Sequence, residues 1–434
     1  MKPRRLPELH IEGYKEMSIT QGPKEFLKPK SVFIPLSIPN GVVFKKEIGD
    51  HVLLGEAIME VEGRFKYPIL SPISGTIKGK VKKWHPSNKL VDMIEIENDF
   101  KEEKVDTFLN LKPDEMTREE LINVMMMTGL VGMGGAGFPA YVKYSTKEKV
   151  DMVIINLAEC EPFITCDYTC VLYNAQELIY GFRYLLKAAG CNHGVIAIKD
   201  KDINNIVIEM LKPLLDSNME IRLLRDVYPA GWERYTVETI SGRTYKNLPI
   251  EAGVIVSNAS TCYSFAETLK YGIPPSKKYL TITGDAIGKP GNVIAKIGTQ
   301  INDLIPLFGG IKEGIDISNI NLIAGGPMTG KSMFFQDFVT THTLGAAIFL
   351  VNKSKGKIHP ECLGCGRCTD YCPSFLSPFE IRRELKVGNL EELKLLGVTK
   401  CIQCGLCSFV CPSRIELTEA VGKAKDMVLK LGRK

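Results

Sequence analysis

Two cysteine runs near the C-terminal end constrain this chain more than any other feature. Cys362-x2-Cys365-x2-Cys368-x3-Cys372-Pro373 is followed, after 28 residues, by Cys401-x2-Cys404-x2-Cys407-x3-Cys411-Pro412. Each run has the spacing in which three thiolates of one run and the last thiolate of the other bind one iron–sulfur cube. A C-x2-C-x2-C loop wraps three corners of a cube, and the fourth cysteine, on the helix that follows, faces the neighbouring cluster. One [4Fe–4S] cluster is therefore expected on Cys362, Cys365, Cys368 and Cys411, and a second on Cys401, Cys404, Cys407 and Cys372. Zinc would use two cysteine pairs and leave the third cysteine and the Cys-Pro step of each run without a role. Two adjacent one-electron centres suit a relay, so another group must exchange electrons with them. Five of the thirteen cysteines remain, Cys160, Cys166, Cys170, Cys191 and Cys262, and they read as buried or idle thiols without ligand spacing.

A chain of 434 residues with 44% hydrophobic and 24% charged content belongs to the multidomain globular class. The formal charge of +5 is small and scattered, which speaks against nucleic acid as a partner. Eight ligating thiolates would offset most of it. The start, Met1-Lys-Pro-Arg-Arg, has no apolar stretch after its basic residues, so a cytoplasmic chain with reduced or metal-bound thiols is expected. Residues 121–142 carry no charge, but Gly129, Gly132, Gly134, Gly135, Gly137 and Pro139 give them too much backbone freedom for a lipid-exposed helix. No direct membrane span is expected, and any contact with the cytoplasmic membrane face would run through partners.

The pattern along the chain changes three times. Residues 30–100 read as short β segments, among them Ser31-Val-Phe-Ile-Pro, Ala57-Ile-Met-Glu-Val, 69–77 and 90–96. Ser71-Pro-Ile-Ser-Gly75 resembles a turn of lipoyl domains, yet no carrier-lysine motif precedes it, so a barrel-sandwich without a swinging cofactor is expected. From Val150, strands at 152–155, 195–198 and 221–224 alternate with helices, including one with apolar positions from Leu172 to Leu186 and Gly190 as its cap. That alternation predicts a parallel sheet. Short strands return at 279–283 and 321–324, and Ser377-Pro-Phe-Glu380 predicts a capping box opening a helix towards Val387. The divisions expected are 1–110, 111–275, 276–345 and 346–434.

Two glycine-rich loops invite a nucleotide reading. Gly132-Met-Gly134-Gly135-Ala-Gly137 fits G-x-G-x-x-G, but a helical stretch precedes it where a dinucleotide fingerprint needs a strand. Such a loop can cradle a phosphate or a ring through bare amides, or serve only as a packing turn. Gly325-Gly-Pro-Met-Thr-Gly330-Lys331-Ser332 matches the Walker A pattern. However, Pro327 stiffens it, Met333-Phe-Phe-Gln is a poor helix start, and no room follows for a nucleotide-hydrolysing domain, so it reads as a turn.

Taken with the cysteine runs, Gly132-Met-Gly-Gly-Ala-Gly-Phe-Pro139, Asn156-Leu-Ala-Glu159-Cys-Glu161-Pro162, Tyr228-Pro-Ala-Gly231 and Gly325-Gly-Pro-Met-Thr-Gly330 resemble the C subunit of the Rnf electron-transport complex. The resemblance covers nearly the whole chain. It implies a multidomain α/β and β architecture: the barrel-sandwich, a Rossmann-like FMN and NADH domain, a β-grasp SLBB domain, and an α-helical dicluster ferredoxin domain. It also implies that Gly132, Gly134, Gly135, Gly137, Lys143, Asn156 and Asn258 hold non-covalent FMN, and that Glu159 and Glu161 line the flavin and nicotinamide pocket. No acid–base residue is required, because hydride transfer needs only orientation of two stacked rings. The implied function is oxidation of NADH, or reduction of NAD+, with electrons relayed through two clusters. The implied partner is either the membrane Rnf subunits or a soluble reductase such as a methylenetetrahydrofolate reductase assembly. An iron–sulfur adaptor with a vestigial nucleotide pocket is the other reading. Three departures stand out: Leu9-His10-Ile11-Glu12-Gly13 replaces a Gly-Gly-Ile-His-Pro-Pro segment, Leu157 stands where glycine is usual, and Trp232 follows Gly231.

Overall fold

The computed structural model describes residues 6–19, 21–36, 41–333, 337–352 and 361–431. The basic start at 1–5, the 334–336 stretch and Pro360 lie outside them. Two antiparallel sheets form the first unit: Ser31–Pro35, Lys89–Asn98, Gly75–His85 and His51–Val52 in one, and Val42–Phe44, Ala57–Val61 and Tyr67–Leu70 in the other. Alternate side chains, among them Val32, Ile34, Ile58, Ile94 and Ile96, fill the space between them, as a barrel-sandwich requires. The expected 69–77 strand is split, because residues 71–74 turn the chain from one sheet to the other.

The second unit carries the parallel sheet, in spatial order Met219–Leu224, Gly194–Lys199, Met152–Asn156, Val254–Asn258. The order reverses between the last two strands, whose ends, Asn156 and Asn258, are register partners. Ligands of open α/β sheets bind at such a reversal, beyond the carboxyl ends of the strands. The helix expected from Leu172 to Leu186 is two helices, Cys166–Tyr173 and Ala175–Ala189. Asn174 breaks it, bonding the Cys170 carbonyl at 2.8 Å and the Tyr279 hydroxyl of the next unit at 2.7 Å. Gly190 caps the second helix in the left-handed region, as its sequence position predicts.

A six-stranded mixed sheet builds the third unit from Lys277–Thr283, Gly291–Lys296, Ile320–Ala324, Lys331–Met333 and Ala346–Val351, with Lys24–Phe26 added at its edge. Two of its strands thus come from residues expected in the first division and from the start of the last. A buried polar network ties this sheet to the parallel-sheet unit. Asn292 donates to the Ser18 carbonyl at 3.0 Å and accepts from Thr281 at 2.8 Å, and the Thr281 hydroxyl accepts from the Thr165 amide at 3.0 Å.

The tail packs Pro378–Val387 against Leu417–Leu431, with Leu376, Ile381, Leu393, Val421 and Val428 between them. The first of these helices starts where expected, yet Ser377 makes no side-chain cap bond, so the capping box does not form. Among the described residues no helix is long and apolar enough to cross a membrane. Residues 121–142 contain the end of helix Arg118–Met127, the glycine loop and the start of helix Ala140–Tyr144.

Candidate functional site

Three segments converge where the parallel sheet reverses. The glycine loop is closed at its base by Gly132 N–H to the Phe138 carbonyl at 2.8 Å and Gly137 N–H to the Gly132 carbonyl at 3.2 Å. Its crest, Gly134 to Ala136, is exposed, and those amides find no acceptor among the described residues. Gly134 lies so close to Asn258 that a Cβ would stand 2.9 Å from its side-chain nitrogen, and Gly135 has φ of +130°. The loop thus rests on the N-terminus of the 13-residue helix Ala259–Tyr271, whose cap is the Asn258 side chain, bonded to the Ser260 and Thr261 amides. Free amides beside a helix N-terminus form an anion cradle that a bulkier sequence would fill.

The surrounding side chains hold this arrangement rigid. Met133 N–H donates to the Thr261 hydroxyl at 2.9 Å, and the Lys278 ammonium donates to the Met133 carbonyl at 2.6 Å. Lys278 is only 4% exposed, and its hydrogen-bond partner among the described residues is that carbonyl and not a carboxylate. A buried ammonium without a counter-charge is costly, which marks the loop as a place for an anionic group. Asn258 donates to Asp167 at 2.6 Å, and the Ser260 hydroxyl bonds the other oxygen of the same carboxylate. Lys143 reaches the Val256 carbonyl at 2.9 Å and Glu233 at 3.3 Å, so its charge is already matched. Asn156 turns to the Gly231 carbonyl at 2.9 Å and the Ala158 amide at 3.0 Å, fixing the loop that follows its strand.

The two glutamates of that loop differ in their surroundings. Glu159 accepts from the Asp167 amide at 3.0 Å, faces Lys15 at 3.7 Å, and leaves its second oxygen buried without a hydrogen bond. Burial raises its pKa, opposed by Lys15, and burial lowers that of Lys15. Glu161 points to the 325–330 turn instead, where Thr329 donates at 2.6 Å and the Met328 amide at 3.1 Å. The departure at Leu157 has a plain packing role, since its side chain is buried in the core under the sheet.

In the tail, one cavity is lined by Cys372, Cys401, Cys404 and Cys407 and another by Cys362, Cys365, Cys368 and Cys411. These are the two crossed groups of four that the spacing predicts. Among the described residues no three cysteine sulfurs lie within 4.8 Å of one another. A tetrahedral zinc site with bonds of about 2.3 Å would hold its sulfurs closer than that, whereas a cube spreads them over its corners. The donor set and its spacing fit clusters. The five other cysteines are free thiols, with Cys166, Cys170 and Cys262 buried.

The Walker-like residues form no phosphate loop, because Ile320–Ala324 is followed by the antiparallel strand Lys331–Met333 and no helix. Sequence reasoning assigned no role to Lys278, Asp167 or Lys15, which act across large sequence separations that no local pattern marks, whereas the Ser257–Thr261 loop around Asn258 is among the segments that the resemblance implies for FMN.

Family models match the chain in four places: the RnfC barrel sandwich hybrid domain at residues 8–101, the Nuo51 FMN-binding domain at 125–267, the SLBB domain at 279–332 and a 4Fe-4S dicluster domain at 361–416. The chain is 32% identical over 385 residues to the C subunit of the Na(+)-translocating ferredoxin:NAD(+) oxidoreductase complex of Acetobacterium woodii, covering 85% of this chain and 84% of that protein. It is 31% identical to the C subunit of the proton-translocating ferredoxin:NAD(+) oxidoreductase complex of Clostridium ljungdahlii, over 81% and 77% of the two chains. A cobalamin reductase of Salmonella typhimurium is 32% identical over 65% of this chain and 64% of its own. Among solved structures, an NAD+-reducing [NiFe]-hydrogenase in the air-oxidized state aligns with a TM-score of 0.50 at 13% identity, over 75% of this chain and 68% of that one. At that identity the likeness concerns the fold alone.

Proposed function

The chain belongs to the family of Rnf complex C subunits, and on that premise we propose that it oxidises NADH, or reduces NAD+, at FMN and relays electrons through two [4Fe–4S] clusters to a partner. It is an oxidoreductase-family subunit with an FMN-binding domain and a 4Fe–4S domain. The observation that carries the reading is the anion cradle at the sheet reversal, with the free amides of 134–136, the capped helix Ala259–Tyr271 and the uncompensated Lys278 together. Bound FMN would supply the switch between two-electron hydride chemistry and one-electron transfer.

In this reading the loop residues Gly132, Gly134, Gly135 and Gly137 admit the cofactor's close approach, and Asn258 orients the helix N-terminus towards its phosphate. Lys278 supplies the balancing positive charge. Lys143 and Asn156 hold the crevice walls, while Glu159 and Glu161 border its nicotinamide end. Cys362, Cys365, Cys368 and Cys411 hold one cluster, and Cys401, Cys404, Cys407 and Cys372 the other. The partner is a soluble reductase, such as a methylenetetrahydrofolate reductase assembly, or the membrane Rnf subunits at the cytoplasmic face. Copurifying subunits would separate the two.

The test is direct. Anaerobically reconstituted protein should retain FMN, and NADH should bleach its flavin band. Two reducible clusters with neither FMN retention nor NADH oxidation would replace this reading with that of an iron–sulfur adaptor.

A further inference from the structure

The Walker-like turn, which the nucleotide chemistry leaves unused, sits where three units meet. Residues 325–330 form a hairpin turn between Ile320–Ala324 and Lys331–Met333. Gly326 packs so tightly on Glu161 that a Cβ there would stand 2.0 Å from the carboxylate. On the other side of the turn, Gly405 packs against the Met328 carbonyl, where a Cβ would stand 2.4 Å away. Tyr228 closes the junction. Its hydroxyl lies 2.8 Å from the Cys404 carbonyl and 3.3 Å from Glu161. A phenol has one proton to donate, and the shorter contact takes it.

The two cysteine groups differ sharply in their relation to this junction. Gly405 and Leu406, inside the second run, are buried, whereas residues 361–367 of the first run are all exposed, with Leu363 at 71%. Glu161 belongs to the loop after the Asn156 strand end, so the junction and the flavin-type crevice share one segment of chain.

We propose that Tyr228, Glu161 and the 325–330 turn form a dock that holds the 401–407 loop against the flavin domain, so that the cluster on Cys372, Cys401, Cys404 and Cys407 exchanges electrons with the flavin and the cluster on Cys362, Cys365, Cys368 and Cys411 faces outward. This rests on the relay reading above. For each electron passed, the donor is oxidised by one and the cluster reduced by one. No bond to these residues forms or breaks, the proton left by the reduced flavin goes to solvent, and Tyr228 keeps its own. Tyr228 is a positioning residue: it fixes where a cluster ligand's backbone lies and touches no reacting atom.

The experiment uses the reconstituted holoprotein and Tyr228→Phe, which keeps the ring and removes the bond, with Gly326→Val as a second variant that expels Glu161 from its seat. After rapid mixing with NADH, the rate of flavin bleaching in Tyr228→Phe should match wild type. Reduction of the first cluster, followed by freeze-quench paramagnetic resonance, should slow on the order of tenfold, since small misplacements cost such factors. Dithionite should still reduce both clusters fully in each variant. Hydrogen exchange at residues 326–330 and 401–407 should rise in both variants while the Gly194–Lys199 strand stays unchanged, a readout independent of turnover. In wild type, the earlier signal should be the one that Cys404→Ser abolishes under dithionite. An earlier signal from the other cluster, or unaltered cluster reduction and unaltered exchange in both variants, would overturn the proposal. If wild-type flavin is not bleached by NADH, the functional reading fails instead, and the exchange measurement alone decides the dock.

Discussion

Among the described residues, the core on one face of the parallel sheet gathers thirty-two buried apolar side chains, from Leu121 to Leu269, whereas the core of the cysteine tail gathers seven, from Leu376 to Val428. The larger core lies beneath a site made of surface loops, so the crevice at Asn156 and Asn258 is built on a scaffold that stands by itself. Two residues of the smaller one, Leu376 and Val421, also line the cavity of Cys372, Cys401, Cys404 and Cys407, so in the tail a cofactor site and the core of the domain share a wall. Small domains of that kind draw much of their stability from bound metal. The largest expected effect tests this contrast. Removing iron with a chelator under reducing conditions should abolish exchange protection of Pro378–Val387 and Leu417–Leu431 while leaving Met152–Asn156 and Gly194–Lys199 protected. Equal loss in both regions would show that the tail and the sheet unfold as one unit.

The next effect concerns charge in the crevice. Lys278→Met removes the buried ammonium that props the Met133 carbonyl. FMN affinity should fall by about tenfold to a hundredfold, as loss of a hydrogen bond to a charged group costs roughly 1.5–3 kcal/mol. Fluorescence titration of the flavin-free protein measures this, and cluster content should not change. Lys143→Met, whose charge is already met by Glu233, should weaken FMN less. The reverse ranking would move the phosphate to the Lys143 side of the crevice.

A smaller, pH-dependent effect again separates the two regions. His342 is half-buried and donates from Nε2 to the Pro275 carbonyl at 3.1 Å. Burial lowers its pKa below the ordinary 6.5, the Pro275 bond partly opposes this, and nearby Lys278 adds to the lowering. The unfolded chain therefore binds the proton more readily, so stability is full above pH 6.5 and is lost as pH falls below it. One such group contributes a slope of at most about 1.4 kcal/mol per pH unit. The described residues of the tail contain no histidine. His342→Gln should flatten the acid limb of the unfolding curve for the sheet units and leave that of the tail unchanged.

The same contrast governs what could be read from sequence. The tail was legible because a cube needs its cysteines at short, fixed spacings, and Cys372 and Cys411 carry their crossing in the chain order itself. The parallel sheet was legible because continuous apolar runs such as Met152-Val-Ile-Ile have little alternative to burial. The crevice was only half legible. The glycines are a local signal, but Lys278 reaches Met133 across 145 positions, and Asp167 reaches Asn258 across 91. No periodicity reports such pairings, and the resemblance rests on the loops without their props. The break at Asn174 escaped for the same reason, since the partner that makes it favourable is Tyr279.

Helix caps give the smallest and sharpest version of the comparison. Ser377-Pro-Phe-Glu380 has the letters of a capping box, and its helix begins there, but Ser377, at φ of −103° and ψ of 86°, makes no side-chain cap bond. Thr117 and Glu120, which no sequence expectation singled out, make the box in full: Thr117 accepts from the Glu120 amide at 3.2 Å, and Glu120 accepts from the Thr117 amide at 2.7 Å. That helix, Arg118–Met127, leads directly into the glycine loop, so its fixed start helps to fix the loop. Thr117→Ala should therefore cost about 1 kcal/mol, and Ser377→Ala only a few tenths, on the scale of measured caps. Local exchange at the first-turn amides of each helix resolves the two. A cost at Ser377 equal to that at Thr117 would mean that the serine caps its helix once the clusters are bound, which ties the order of that helix to the metal as well.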